Sequence, residues 1–179
     1  MQANDILHFW FHELNDQQRF AKDEALDTAL RERFGDTLLA AVRGELADWR
    51  ATPAGRLAEI VLLDQFSRNI YRDTPAAFAQ DAQALTLAQE LVASGQDQRL
   101  DLVQRSFAYM PYMHSESALI HAQAVMLFKQ PGLENSLAFE QRHQTIIARF
   151  GRYPHRNAIL GRASTAEELT FLAQPGSSF

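Results

Sequence analysis

Apolar residues recur along most of this chain at the three- and four-residue spacing of amphipathic helices, and helix start and stop signals separate the segments. Thr52 precedes Pro53, and Thr74 precedes Pro75, so each pair offers a capping side chain before a proline at the first helical position. No alternating apolar run lies between hairpin turns, so we expect no strands. The sequence predicts an all-α fold of about eight or nine helices.

The periodic segments set the expected helix bounds. They predict helices over 5–12, 16–34, 36–49, 53–71, 100–128, 135–150 and a last one that starts at a capping box in 164–168 and runs through 172. Residues 75–94 form either one helix or a pair of helices. Gly35 is expected to end the second helix. Pro111 either kinks the long segment or marks the end of one helix, with another beginning near Ser115. Short connections predict that neighbouring helices pack antiparallel.

The length of 179 residues suggests one domain, and we place it at 1–173 with a loose tail at 174–179. The chain has no cysteine, which excludes disulfides and thiolate metal or redox sites. No apolar run reaches the roughly 18 residues of a spanning helix, and the first residues lack the pattern of a signal peptide. We therefore expect a cytoplasmic protein without membrane contact, and nothing in the sequence calls for a cofactor.

The charges are unevenly distributed. The net charge of −5 argues against general nucleic-acid binding. Residues 142–166 hold five Arg and no acid, whereas the first fifty residues hold ten acids. Either the acidic part covers the basic part within the fold, or the basic part faces an anion.

The first of three polar stretches, residues 63–72, follows an apolar segment at 57–63 that predicts a central buried helix. Its polar side chains lie on one helix face or beside it: Asp64, Gln65, Arg68, Asn69 and Arg72. Because an unpaired buried charge is costly, these groups must find partners. They form either an ion-pair network between helices or one wall of a polar pocket.

The second stretch, residues 107–117, surrounds Pro111. The proline interrupts the helix ladder, so backbone groups are exposed beside His114, Ser115 and Glu116. Such an interruption occurs both in ordinary helical bundles and in active sites. The polar groups either satisfy the local backbone or contribute to a site.

The third stretch, residues 150–162, has no clean helical or strand period, and the residues on either side of it look like core. It carries several donors held by two glycines and Pro154: Arg152, Tyr153, His155, Arg156, Asn157 and Arg162. Clustered Arg side chains suit a carboxylate or a phosphate, and they suit Asp64 and Glu116 of the same chain equally well. The glycine spacing is too loose for a nucleotide-binding loop.

The N-terminal segment leaves two questions open. His8 and His12 are four residues apart, a spacing that can hold a metal, but no third ligand follows at a recognised spacing, so we favour packing. The apolar residues of this first helix could pack on the domain or on a second copy, so monomer and homodimer both remain open.

Three motifs in order, DQFSRNIYR at 64–72, YMPYMHSE at 109–116 and FGRYPHRNAILGRAST at 150–165, resemble a widespread bacterial family. The resemblance covers nearly the whole chain and implies an all-helical domain of the tetratricopeptide-like superfamily, a superhelical array of α-hairpins. The family has no assigned function, and the chain shows no 34-residue repeat. Ser117 follows His-Ser-Glu where an acid is expected in many relatives, which puts a paired-carboxylate role for Glu116 in doubt.

Matching these motifs residue by residue selects a set of candidate positions. They are Asp64, Gln65, Arg68, Asn69, Arg72, Tyr109, Pro111, His114, Ser115, Glu116, Arg152, Pro154, His155, Arg156, Asn157 and Arg162.

Our leading hypothesis is that the three stretches converge on one pocket, where Arg side chains bind a small anionic ligand or an acidic peptide end. A second hypothesis, by analogy of fold alone, is a protein-interaction module. A third is a hydrolase-type enzyme with His114 or His155 as general base, Glu116 or Asp64 orienting it, and Arg152 or Arg156 stabilising negative charge. A metal bound by His114, Glu116 and His155 would be a variant of this third hypothesis. The fourth is that all three stretches form a structural ion-pair network.

Overall fold

The structure, a computed structural model, describes residues 1–178 and contains no strand within them, so the all-α prediction is confirmed. The helices are α1 Ala3–His8, α2 Asp16–Phe20, α3 Glu24–Val42, α4 Pro53–Val61, α5 Ser67–Ile70, α6 Asp81–Ala93, α7 Leu102–Met113, α8 Ala118–Phe128, α9 Glu134–Phe150 and α10 Ala166–Leu172. A π-helical segment, Leu62–Phe66, joins α4 to α5, and another, Phe9–Glu13, extends α1. Counted with α4–α5 as one continuous helix, residues 1–178 hold nine helices. None of them combines the length and apolarity needed to cross a membrane.

The predicted helix end at Gly35 is wrong. Helix α3 runs through it, because the neighbouring Phe34 and Leu38 are fully buried and their packing outweighs the modest helix cost of glycine. The chain breaks earlier, after Phe20, and Asp23 caps α3 by accepting hydrogen bonds from the backbone N–H groups of the next turn. The predicted helix start at Thr74–Pro75 is also wrong, because only the 3-10 helix Pro75–Ala77 follows it and α6 begins at Asp81 with Gln80 as its N-cap. The cap signals at Thr52 and Thr165 are confirmed. Thr52 caps α4 with Pro53 at its first position, and Thr165 with Glu168 forms the capping box of α10.

The chain divides into two compact units. Unit 1 comprises Met1–Arg72 and Ala76–Pro111, and unit 2 comprises Asp73–Pro75 and the chain from Tyr112 onward. The single domain at 1–173 stays a prediction.

Unit 1 is built on α4, which packs against α1 and α6. Leu57 and Ile60 of α4 are fully buried, as expected for a central helix. The aromatic rings of Trp10, Phe34 and Phe66 pack together, with ring centroids 5.2 to 5.5 Å apart along the chain of contacts. The apolar residues of the first helix therefore pack within their own unit.

Unit 2 is built on α8 and α9, which contact each other and are joined by residues 129–133. Ile146, Ile147 and Tyr153 form its core, and Phe150 and Phe171 pack against them. At Pro111 the second predicted alternative is confirmed. Helix α7 ends at Met113, two residues past the proline, and α8 begins after Ser117.

Hydrogen bonds attach the C-terminal tail to α10, and one of them runs from the Gln174 backbone N–H to the Phe171 carbonyl at 2.9 Å. The Ser177 hydroxyl donates a hydrogen bond to the Leu172 carbonyl at 3.1 Å, and Ser177 is buried. Phe179, the last residue of the predicted loose tail, lies outside the described residues.

Candidate functional site

The first polar stretch binds acids of its own unit. Arg68 forms a two-pronged pair with Asp81 of α6 at 2.9 and 3.0 Å, and it also lies 3.0 Å from a carboxylate oxygen of Asp64. Asp64 is almost completely buried, so the guanidinium compensates a carboxylate that water hardly reaches. This side of the stretch ties the α4–α5 helix to α6.

The other end of the stretch is tied to α3. Arg72 donates to both carboxylate oxygens of Asp27 at 2.5 and 2.8 Å, and the Asn69 amide donates to the same group at 2.8 Å. Burial alone would raise the pKa of Asp27, but the hydrogen bonds from Arg72 and Asn69 outweigh it and lower that pKa below its ordinary value. Asp27 is therefore held ionised as the counterion of Arg72.

Gln65 and Tyr109 also form bonds within unit 1. The Gln65 amide donates to the Met110 sulfur at 3.3 Å and to the Asp64 carboxylate. The Tyr109 hydroxyl donates to Asp97 at 2.5 Å, and both residues are buried. The candidate polar side chains of the first stretch, together with Tyr109 of the second, therefore have hydrogen-bond partners within unit 1.

In unit 2 the second and third stretches meet at Glu116. Its carboxylate accepts two hydrogen bonds from the Arg162 guanidinium, at 2.6 and 2.9 Å, and one from the Tyr153 backbone N–H at 2.7 Å. Burial would raise the pKa of Glu116, but Arg162 and the Tyr153 N–H overcome it and lower that pKa. About a quarter of each of the Glu116 and Arg162 side chains remains exposed, so solvent reaches this pair.

The loop of the third stretch is fixed by further bonds. Arg156 donates to the His114 carbonyl at 3.0 Å and lies over the Tyr153 ring, 4.6 Å from its centroid. Arg162 also donates to the side-chain oxygen of the fully buried Asn157 at 3.0 Å. The loop therefore has one defined shape against the chain after Pro111.

Arg152 is bound at the start of α10. It donates to both carboxylate oxygens of Glu168 at 2.7 and 2.8 Å, and the Asn157 amide reaches the same carboxylate at 3.3 Å. The hydrogen bond from Arg152, assisted by the Thr165 backbone N–H, lowers the pKa of Glu168 to about 2. We use the name Glu116 cluster for the following residues of unit 2: His114, Glu116, Arg152, His155, Arg156, Arg162 and Glu168.

Sequence reasoning missed the buried titratable groups around Tyr153. Nδ1 of His121 lies 2.7 Å from Oε1 of Glu140, and its Nε2 lies 2.8 Å from the Ser115 carbonyl and 3.2 Å from the Tyr153 hydroxyl. His143 contacts the Tyr153 ring edge-on, with centroids 5.7 Å apart. Burial lowers the pKa of His143 to about 3, and burial raises the pKa of Glu140 against the opposing effect of His121. His121, Glu140 and His143 form a buried network next to the loop at 150–162.

The sequence contains a signal for such buried titratable side chains, although it does not identify the residues that pair with them. His121 is the one titratable residue of an otherwise uncharged helix, and Glu59 is the one acid of the apolar segment at 57–63. Each must be compensated, and Glu59 is bound by Arg50 at 2.6 and 2.7 Å. An isolated charge in an apolar helix therefore predicts a buried pair, and only the fold identifies the second member.

The candidate residues divide between the units. Unit 1 holds Asp64, Gln65, Arg68, Asn69, Arg72 and Tyr109, and unit 2 holds His114, Ser115, Glu116, Arg152, His155, Arg156, Asn157 and Arg162. The second and third stretches are joined by direct bonds, whereas a single pocket of all three stays a prediction. In residues 1–178 no group of three or more His, Asp or Glu side chains could hold a metal ion, and this includes the set around His114.

Two surface cavities lie beside other residues. One of about 490 Å³ is lined by Ala118, Gln144, Thr145, Ala148 and Arg149 of unit 2. The other, of about 350 Å³, lies in unit 1 beside Phe11 and Arg19. No candidate site residue lines either of these two cavities.

The chain matches one family over nearly its whole length. The model of the family described as "Bacterial protein of unknown function (DUF924)" matches residues 6–176. The chain is also similar to a solved structure titled "Structure of Protein of Unknown Function ATU0120 from Agrobacterium tumefaciens", with 38% identity, a TM-score of 0.91 and 96% of each chain covered. No curated protein matches the chain. The predicted kinship with a bacterial family of unknown function is thus confirmed, and this chain belongs to the DUF924 family.

Proposed function

We propose that unit 2 binds a small anion, a carboxylate or a phosphate, at the exposed rim of the Glu116 cluster. The observation that carries this proposal is the convergence of three donors, two from Arg162 and one from the Tyr153 backbone, on a carboxylate that solvent reaches. The Arg162 guanidinium has five N–H groups and uses four of them in its bonds to Glu116, Asn157 and the Tyr153 carbonyl, so an anion at this rim would share the guanidinium with Glu116.

The charge of the cluster supports the same ligand class. Arg152, Arg156 and Arg162 carry three positive charges, while Glu116 and Glu168 carry two negative ones. His155 lies on the loop at 150–162, and His114 lies on the segment after Pro111 that this loop contacts. Both imidazoles are half-buried. An anion that binds at this rim would meet a net positive field in a partly desolvated place, where charge interactions are stronger than in water.

Isothermal titration with inorganic phosphate and with citrate, at an ionic strength held constant with KCl, tests the proposal. We expect saturable heat and a raised melting temperature, since a ligand at a hundred times its Kd adds about 2.7 kcal/mol of stability. Arg162→Gln should weaken binding at least tenfold, whereas Arg142→Gln, at an exposed Arg of α9, should leave it unchanged. A wild-type protein that gives no saturable heat with either anion contradicts the proposal.

The hydrolase alternative receives less support. Glu116, which was expected to orient a catalytic imidazole, accepts its hydrogen bonds from Arg162 and the Tyr153 backbone. One imidazole–carboxylate pair of the fold, His121 with Glu140, is fully buried and closed to a substrate in this structure.

The second candidate function is a protein-interaction module. It is favoured by one observation: α8 carries no Asp, Glu, Lys or Arg, yet its Leu119 is 70% exposed and its Met126 is 68% exposed. For this second function we propose a tetratricopeptide-like array of α-hairpins in a cytoplasmic protein. The pair α8–α9, two consecutive helices in contact across a short connection, is the local unit that such an array requires.

A further inference from the structure

The cavity of unit 1 lies outside the proposed anion site. Its wall combines Phe11 and His12 of the π-helical segment, Arg19 of α2 and the start of α7 from Asp101 to Gln104. Its volume of about 350 Å³ falls within the range of ligand pockets, which begins at about 300 Å³. A small organic molecule therefore fits this cavity.

Arg19 is a buried cation at this wall, and its charge is weakly compensated. Its side chain is 6% exposed, whereas the Asp16 carboxylate with which it pairs is 90% exposed. An ion pair with an exposed acid adds little stability, and a buried charge needs a strong partner. The guanidinium uses three of its five N–H groups, in bonds to Asp16 and to the Trp10 and Leu14 carbonyls. One N–H of Nη2 therefore remains for a carboxylate that enters the cavity, and Nε has no hydrogen-bond partner among the described residues.

The wall next to Arg19 is apolar and aromatic. Phe11 lines the cavity together with Leu102 and Val103, which are 42% and 51% exposed. The Arg19 guanidinium lies 5.9 Å from the ring centroid of Phe11 and 5.8 Å from that of Phe107. A flat ring that enters the cavity would remove these apolar side chains from water and pack against an aromatic surface. This wall therefore favours a ligand with an aromatic group.

The start of α7 adds a negative charge to the cavity. Asp101 is exposed, and its carboxylate caps the helix by accepting a hydrogen bond from the Gln104 backbone N–H at 2.8 Å. Within residues 1–178 this carboxylate forms no ion pair. An ammonium group of a ligand would give it a charge-assisted hydrogen bond. The cavity thus presents a cation, an apolar surface and an anion to one small ligand.

We propose that this cavity binds an α-amino acid with an aromatic side chain. Arg19 binds the carboxylate of the ligand, Asp101 binds its ammonium group, and the ring packs against Phe11 and the two apolar residues of α7. A ligand with only a carboxylate would be repelled by Asp101, and one with only an amine would be repelled by Arg19. The zwitterion satisfies both charges. The site belongs to unit 1 and does not depend on anion binding by the Glu116 cluster.

Isothermal titration with matched compounds tests each part of this assignment. We expect L-tryptophan and L-phenylalanine to bind with saturable heat at constant ionic strength. Indole-3-propionate, which lacks the ammonium group, and tryptamine, which lacks the carboxylate, should each bind at least tenfold more weakly than L-tryptophan. L-Alanine, which lacks the ring, should give no saturable heat. The proposal is overturned if neither aromatic amino acid gives saturable heat, or if any of the three analogues binds as tightly as L-tryptophan.

Two capping aspartates provide a matched pair of variants. Asp101→Asn removes the charge but keeps a capping oxygen, so the fold is retained while the affinity for L-tryptophan should fall at least tenfold. Asp23→Asn makes the same change at the exposed cap of α3, and its affinity should equal that of wild type. Equal affinities of the two variants for L-tryptophan overturn the proposal.

The Arg162→Gln variant separates this cavity from the anion site. It should bind L-tryptophan like wild type, although its affinity for phosphate is expected to fall. If Arg162→Gln abolishes the binding of L-tryptophan and Asp101→Asn does not, the amino acid binds in unit 2 and the proposal is wrong. Wild-type protein that binds L-tryptophan but neither phosphate nor citrate supports this proposal and contradicts anion binding alone.

Discussion

Oε1 of Glu140 lies 2.7 Å from Nδ1 of His121, and both side chains are fully buried. On its other side the same imidazole contacts the Ser115 carbonyl and the Tyr153 hydroxyl, so one histidine connects α9, the chain after Pro111 and the loop at 150–162. The Glu116–Arg162 pair spans the last two of these segments nearer the surface. The motif residues of unit 2 therefore lie next to a buried network, and the members of that network are not part of the motifs.

Glu140→Ala should destabilise the protein by about 3–5 kcal/mol, because it leaves His121 without its buried partner. Glu140→Gln keeps the shape and one hydrogen bond to Nδ1, so it should cost clearly less. Urea unfolding of both variants measures the difference. The control is Gln141→Ala, at the next and exposed position of α9, which should change stability by no more than about 0.5 kcal/mol. Equal losses at positions 140 and 141 would show that the pair stabilises nothing.

His143 should make the fold sensitive to acid. Burial, and the nearby imidazoles His114, His121 and His155, lower the pKa of His143 from 6.5 to about 3. Between these values the unfolded state binds a proton that the folded state excludes, so stability is present above pH 6.5 and is lost as the pH falls towards 3. By pH 4 the loss should be about 3 kcal/mol.

Urea unfolding of wild type, His143→Leu and His8→Leu at pH 7, 6, 5 and 4 measures this dependence. His143→Leu should flatten the decline between pH 6.5 and 4, and His8→Leu should not, because His8 is exposed. The pKa values of Asp27, Glu116 and Glu168 are also lowered in the folded protein. Protonation of these carboxylates at more acidic pH therefore lowers the stability of all three proteins. Parallel pH profiles for wild type and His143→Leu would contradict the assignment.

Two glycines should respond to alanine in opposite ways. A Cβ on Gly55 would lie 2.0 Å from the backbone oxygen of Trp49, so Gly55→Ala must displace backbone and should cost about 1–3 kcal/mol or more. A Cβ on Gly35 meets nothing within 4 Å inside α3, so Gly35→Ala should stabilise by about 0.5–1 kcal/mol. Thermal unfolding of the two variants, side by side, checks both signs. A stabilising Gly55→Ala would contradict the close approach of Gly55 to the Trp49 backbone oxygen.

Arg68→Ala should cost about 3–5 kcal/mol, because it removes the guanidinium that lies 3.0 Å from the buried Asp64 carboxylate. Arg68→Lys should recover only part of this, since an ammonium group cannot reproduce the two-pronged bond to Asp81. Arg149→Ala removes an exposed pair with Glu167 and should cost no more than about 1 kcal/mol. If Arg68→Ala is as mild as Arg149→Ala, the first stretch is not a packing network.

Much of the local structure followed from short-range patterns. The cap at Thr52, the capping box at Thr165 and the helix interruption after Pro111 depend on residues within one turn of each other, so they could be predicted. The helix end at Gly35 could not, because the burial of Phe34 and Leu38 against the rest of unit 1 decided it. Local propensity is a weak prior wherever a helix is held by tertiary packing.

The candidate site, too, has features that the sequence predicts and features that only the fold decides. The sequence by itself determined the all-α class, the membership of polar residues in three stretches and the need of each buried charge for a partner, since these depend on residue type and local spacing. Only the tertiary structure decided that Arg72 binds Asp27, 45 positions away, that Arg162 binds Glu116, and that His121 binds Glu140. Each choice depends on which helices lie side by side, because a charge pair forms with whichever opposite group the packing of apolar faces brings within about 3 Å.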